Sequence, residues 1–127
     1  MGKTTRLKGA GARHIDAGLQ RPTRPRGETL NMLGALVYAV RTPDALIKIG
    51  FTRSLAQRSA TLGGINAILA VRLGSTLADE QALHDSLAES VARGREYYHP
   101  TTEVLDVVNT MRSDMGMPPV TAEDIAA

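Results

Sequence analysis

The chain has no cysteine and no tryptophan, and only 3% of its residues are aromatic, three tyrosines and one phenylalanine. Each shortage excludes something. Without cysteine there is no disulfide, no thiolate metal ligand and no cysteine nucleophile, a composition that fits a reducing compartment. Without large rings, the core of a 127-residue chain has to be filled by Ala, Val, Leu and Ile, which a hydrophobic content of 43% allows. No apolar run approaches the roughly 20 residues of a membrane helix. No apolar stretch follows the basic N-terminus, as a secretory signal would require. The expectation is one compact domain in the cytoplasm with no membrane partner.

Charge is unevenly spread. The formal net charge is +2. Residues 1–26 hold seven basic side chains, Lys3, Arg6, Lys8, Arg13, Arg21, Arg24 and Arg26, against Asp16 alone, a net +6. The other eight basic residues face twelve acidic ones, a net −4. A basic arm on a mildly acidic domain suits nucleic acid, because each cation that meets a phosphate releases counterions. A solubilising tail is the plainer reading of the same charges. Residues 1–28, rich in glycine and charge, read as a flexible arm, 29–113 as the folded domain, and 114–127 as a frayed tail.

Leu36–Arg41 and Ala45–Phe51 are rich in Val, Ile and Leu, and Thr42-Pro43-Asp44 between them is turn chemistry, so the pair reads as a hairpin. A turn centred on Pro43 sets Tyr38 across from Lys48, on one face, with Ile47 and Ile49 on the other. Ser54 and Gln57 form a capping-box pattern before a helix over Leu55–Leu62, closed by Gly63-Gly64. Ala67–Leu73 reads as a third strand. Thr76 caps a long helix running to Ala92, with Leu83, Leu87 and Val91 as its apolar stripe. Tyr97-Tyr98 is extended, and a last helix follows Thr101-Thr102, with Val104, Leu105, Val108 and Met111 on one side. The order predicts an α/β domain with a small, mostly antiparallel sheet of three strands flanked by helices.

Several side chains on this frame can do chemistry. Tyr38 is a phenol on a central strand, and Lys48 beside it would favour the phenolate. Arg58 flanks the buried side of the first helix, and its planar fork suits a phosphate. Glu80 and His84 lie one turn apart on the long helix, and a carboxylate at the edge of an apolar stripe wants a partner: a metal, an arginine or His84. Glu96, Tyr97 and Tyr98 follow Gly94, and Tyr97 or Tyr98 there can stack on a base while Glu96 joins the polar site. Taken singly, each has an ordinary reading: a core tyrosine, an exposed helical arginine, a surface Glu–His pair, a domain edge.

Together, Tyr38, Ile47-Lys48-Ile49-Gly50, Arg58 eight residues after Gly50, and Glu80 resemble the GIY-YIG endonuclease superfamily. Lys48-Ile49-Gly50-Phe51-Thr52, Glu80-x-x-Leu83-His84 and Gly94-x-Glu96-Tyr97-Tyr98 resemble a divergent branch known largely from bacteriophage reading frames. The resemblance covers about residues 35–112. It implies a three-stranded antiparallel sheet, one Mg²⁺ or Mn²⁺ on Glu80 bound chiefly with substrate, Tyr38 near the attacking water and Arg58 on the scissile phosphate of DNA. Lys48 stands where the family has its second motif tyrosine, and Leu62 stands where many active members have histidine. The expected function is metal-dependent DNA cleavage, with His84 as a proton relay. The alternatives are a DNA-binding or regulatory module without turnover, and a protein-interaction adaptor.

Overall fold

A computed structural model describes residues 34–127. The described chain is α/β, built on a five-stranded antiparallel sheet. The strands are β1 (Leu36–Arg41), β2 (Ile47–Thr52), β3 (Ile68–Leu73), β4 (Val91–Arg93) and β5 (Tyr97–Tyr98), in the spatial order β3-β1-β2-β5-β4. The helices are α1 (Leu55–Arg58), α2 (Leu77–Ser86), α3 (Thr102–Asp114) and α4 (Ala122–Ala126). Among the described residues no helix is long and apolar enough to cross a membrane.

The sheet has five strands where the sequence suggested three. The added pair, β4 and β5, has only three and two residues, too short for a periodic pattern to reveal. It forms because the long helix expected to reach Ala92 ends at Ser86. Leu87 turns into the core, and Ser90 is then pinned, its hydroxyl 2.7 Å from the Thr101 hydroxyl and its carbonyl accepting from the His99 amide at 2.9 Å. Val91 therefore leaves the expected helical stripe and lies on β4, exposed. The start of α2 is as the sequence suggested: Thr76 caps it in a reciprocal box with Asp79.

The first helix is one turn long, and its proposed box does not form. Ser54 makes no side-chain cap bond; its amide donates instead to the Thr52 hydroxyl at 3.0 Å. After Arg58 the chain tightens into turns that close on Gly63 and Gly64, both with positive φ.

Alternation puts Leu36, Tyr38 and Val40 on one side of β1 and Val37 and Ala39 on the other. The first side packs under α1 with Leu55, Leu62, Ile68 and Val71. The second carries the larger core, with Ile47, Ile49, Leu87, Tyr98, Val104, Val108 and Met111. Residues 114–127 do not fray. Val120 and Ile125 are buried in this core, each burial contributing roughly 1.5–3 kcal/mol. Thr121 and Asp124 cap α4 reciprocally, and the Asn109 amide bonds both the carbonyl and the amide of Val120, at 2.9 and 2.8 Å.

The C-terminal part of α3 also lies along the outer edge of β3. Arg112, fully buried, donates to the Leu69 carbonyl at 2.8 Å and to the Pro118 carbonyl at 2.6 Å. The Val71 amide meets the Met115 sulfur at 3.4 Å. Burial holds the Arg112 pKa below its ordinary value, opposed by Asp124.

In the hairpin, Tyr38 pairs with Gly50 and Val40 with Lys48, so Tyr38 is not across from Lys48. The turn centres on Asp44 rather than Pro43. Ala45 takes φ +65°, and the Ala45 amide closes on the Thr42 carbonyl at 3.1 Å. Moving the centre by one residue moves the register by two, which keeps every side chain on its expected face. The Tyr38 ring fills the space where a side chain at Gly50 would stand: a Cβ there would fall 2.5 Å from Cζ of Tyr38. Gly50→Ala should therefore destabilise the fold by about 2–3 kcal/mol, and should cost far less in a Tyr38→Ala background. Denaturant unfolding of the two single variants and the double variant checks this coupling.

Candidate active site

Tyr38 lies in the middle of the sheet and is 1% exposed. Burial raises its pKa above the ordinary value of 10, opposed by the charges of Lys48 and Arg58 and by a side-chain hydrogen bond from Lys48, and assisted by the charge of Glu96. These causes define a neighbourhood. Lys48 shares the face of Tyr38 because it stands opposite Val40. Arg58 reaches that face from α1, whose Leu55 packs in the same apolar cluster as Tyr38. Tyr38 and Arg58 thus stand on the same side of the sheet, as the sequence suggested.

Glu96 comes from the turn between β4 and β5, and its carboxylate is 3.8 Å from the Lys48 ammonium. That turn is held against β2: the Ile49 amide donates to the Glu96 carbonyl at 2.9 Å. Tyr97 pairs with Lys48 across β2 and β5 and so joins the face of Tyr38. The Lys48 ammonium is 5.6 Å from the Tyr97 ring centre, and the Arg93 guanidinium is over the same ring at 4.4 Å. Arg93 is fixed in turn by Asp44, at 2.5 Å. The Thr42 hydroxyl, and then Arg93, hold the Asp44 carboxyl below the usual range. One face thus gathers Tyr38, Lys48, Arg58, Glu96 and Tyr97.

Glu80 and His84 are not part of it. Helix α2 packs on the opposite side, where Tyr98 lies because it pairs with Ile47. There the Tyr98 hydroxyl meets Nδ1 of His84, and Nε2 of His84 is 3.4 Å from a Glu80 oxygen. Helical spacing sets which residues of α2 turn inward, but not which side of the sheet receives the helix, so Glu80 was set beside the wrong tyrosine. Its charge acts on Tyr98, after that of Glu96, and Glu96 is the carboxylate that acts on Tyr38 as well. The consecutive pair Tyr97-Tyr98 was a usable signal, because neighbouring strand residues put one ring on each face. The Asp44–Arg93 pair, the bond between Tyr98 and His84, and the Tyr38 ring over Gly50 are the contributions that sequence reasoning missed. Lys3, Arg6, Lys8, Arg13, Arg21, Arg24 and Arg26 lie outside the described residues.

Among the described residues, no three or more His, Asp or Glu side chains gather as a metal site. A hard divalent ion needs less than that: Mg²⁺ commonly takes one or two carboxylates and completes its shell with water and phosphate oxygens. Glu96, half exposed beside Tyr38 and Lys48, fits that minimal requirement. Comparison with family models, with curated proteins and with solved structures finds no match to this chain.

Both buried tyrosines bear on stability at alkaline pH. Burial, first, and the charges of Glu96 and Glu80 push Tyr98 up to about 12, and Tyr38 is raised in the same direction. A phenol whose pKa is higher folded than unfolded contributes stability that is complete below pH 10 and lost as pH rises through the folded value. Unfolding free energy should therefore fall between pH 10 and about 12. In Tyr98→Phe and Tyr38→Phe that fall should be shallower, as denaturant titrations across this range would show.

Proposed function

We propose that this protein binds nucleic acid and hydrolyses its phosphodiester bonds in the manner of the GIY-YIG endonucleases, with Glu96 as the carboxylate of the site. The observation that carries the reading is the grouping of a buried phenol, two cations and one carboxylate on a single face, Tyr38 with Lys48, Arg58 and Glu96. Hydrolysis forms a bond from a water oxygen to phosphorus and breaks the bond to the leaving oxygen, which departs as an alcohol after taking up a proton from solvent. It needs a placed water, neutralised phosphoryl oxygens and a destination for the water's proton.

Tyr38, a neutral phenol at pH 7, orients the water by hydrogen bonding. Arg58 and Lys48 meet the phosphoryl oxygens. Glu96 receives the proton or holds a divalent ion. Mg²⁺ or Mn²⁺ there, when bound with substrate, would supply further neutralisation of the phosphate. Tyr97 offers an aromatic surface to the adjoining base.

A second reading keeps binding without turnover. It is favoured by the Lys48 ammonium 3.8 Å from Glu96, a cation already placed beside the carboxylate that a metal would need.

Incubation of the full chain with supercoiled DNA and Mn²⁺ tests the choice. Glu96→Ala should reduce nicking at least 100-fold, and Arg58→Ala by about 10²–10³. Glu80→Ala should keep a tenth or more of wild-type activity. Loss of cutting in Glu80→Ala with retention in Glu96→Ala would return the metal to α2. Salt-sensitive binding by a wild-type protein that never cuts would leave the binding module, and the absence of both would leave the protein adaptor.

The arm has its own test. Deleting residues 1–26, net +6, should weaken DNA binding and flatten its dependence on salt. Equal affinity and equal slope in fluorescence anisotropy would remove the arm from the interface.

A further inference from the structure

Glu80, His84 and Tyr98 form a nearly buried polar chain that the proposed reaction does not use. The His84 and Glu80 side chains are 10% and 17% exposed, and Tyr98 is 1% exposed. The Tyr98 hydroxyl lies between two partners, Nδ1 of His84 and the Arg95 carbonyl, the latter at 3.0 Å. A phenol has one hydrogen to give. The carbonyl can only accept, so Tyr98 donates to Arg95, and Nδ1 of His84 carries the hydrogen donated to the phenol oxygen. The two rings lie nearly parallel, 14° apart, with centres 5.8 Å apart. Nε2 of His84 is left buried without a hydrogen-bond partner, held toward Glu80 at 3.4 Å.

The end of this chain is what matters. The Arg95 carbonyl belongs to the peptide that begins Glu96. The carbonyl on the other side of Glu96 accepts the Ile49 amide at 2.9 Å. Glu96 is therefore bracketed by two backbone anchors, one to β2 and one to Tyr98, just after Gly94 turns the chain at φ +58°. We infer that Tyr98, braced by His84, is a positioning residue that sets the β4–β5 turn so that the Glu96 carboxylate stands beside Lys48 on the opposite face. The inference rests on the reading that Glu96 serves the site, and it gives the inner face of the sheet a part in that site.

Two readouts in the full chain test it, and the first needs no activity. Hydrogen exchange of the Ile49 amide, whose acceptor is the Glu96 carbonyl, should speed up at least tenfold in Tyr98→Phe and in His84→Leu. Amides of the β1–β3 ladder should keep wild-type protection, which separates a loosened turn from global destabilisation. His84→Asn, which keeps a donor near the position of Nδ1, should restore most of the protection. In the nicking assay, Tyr98→Phe should lower kcat about tenfold with KM unchanged. Wild-type exchange at Ile49 in both Tyr98→Phe and His84→Leu would overturn the inference, as would an equal rise throughout the sheet. Selective exchange at Ile49 in a protein that never cuts DNA would uphold the positioning of the turn and overturn the nuclease reading instead.

Discussion

The Tyr38 ring occupies space that exists only because Gly50 has no side chain, and much of the molecule is arranged around that contact. It ties the two central strands at one register, since a shift of two residues would place Lys48 or Thr52 under the ring. It also sets the depth of the phenol. The ring is sunk among Leu36, Val40, Leu55 and Val71, and only the direction of its hydroxyl is open to the charged side chains of the same face. Burial and cations act on it in opposite senses, and burial wins, so the group stays a neutral hydrogen-bonding phenol at physiological pH.

The two faces of the sheet carry different kinds of polar group. On the α1 face the charges are partly open to solvent: Lys48, Arg58, Arg93, Asp44 and Glu96 surround two tyrosines, and cation–anion contacts of that exposure hold only weakly. On the α2 face Glu80, His84 and Tyr98 are largely buried, with the Tyr98 hydroxyl bonded to Nδ1 of His84 and Nε2 of His84 held 3.4 Å from Glu80 without a hydrogen bond. A buried polar chain of that kind is stiff, because each group has few other partners. Geometry on one side of the sheet can therefore be held by rigidity on the other, with the strand pair β5–β4 as the shared element.

The sequence was most readable where a pattern repeats or a cap is local. Alternation along Leu36–Arg41 and Ile47–Thr52 gave the correct faces, and Thr76 marked the start of α2. The register was missed because Ala45, with positive φ, carries no sign of it in its residue type. The end of α2 was missed because Leu87 and Val91 continue a helical spacing although tertiary contacts at Ser90 divert the chain. The composition of the tail suggests fraying, yet Thr121-x-x-Asp124 before Ile125 is a cap followed by an apolar anchor, a signal of order that is present in the sequence. Of the candidate site, Tyr38, Lys48 and Arg58 were grouped correctly from strand alternation and one helical turn. Glu80 was misplaced because an amphipathic pattern says which side of a helix is inward and nothing of which layer it joins.

The buried Arg112 has a consequence for how the molecule meets its own kind. A free strand edge offers unpaired amides and carbonyls to any extended chain. On the outer edge of β3 the Leu69 carbonyl is taken by Arg112 and the Val71 amide faces the Met115 sulfur. A foreign strand cannot pair with the Leu69 carbonyl there without displacing the Arg112 guanidinium from its bonds to Leu69 and Pro118. At the far edge, β4 has three residues, too few to template a long ribbon. The sheet is closed to growth by a plug at one end and by brevity at the other. This protects an alanine- and valine-rich domain from edge-to-edge polymerisation, and a plug-removing substitution such as Arg112→Ala would be expected to bring aggregation along with lost stability.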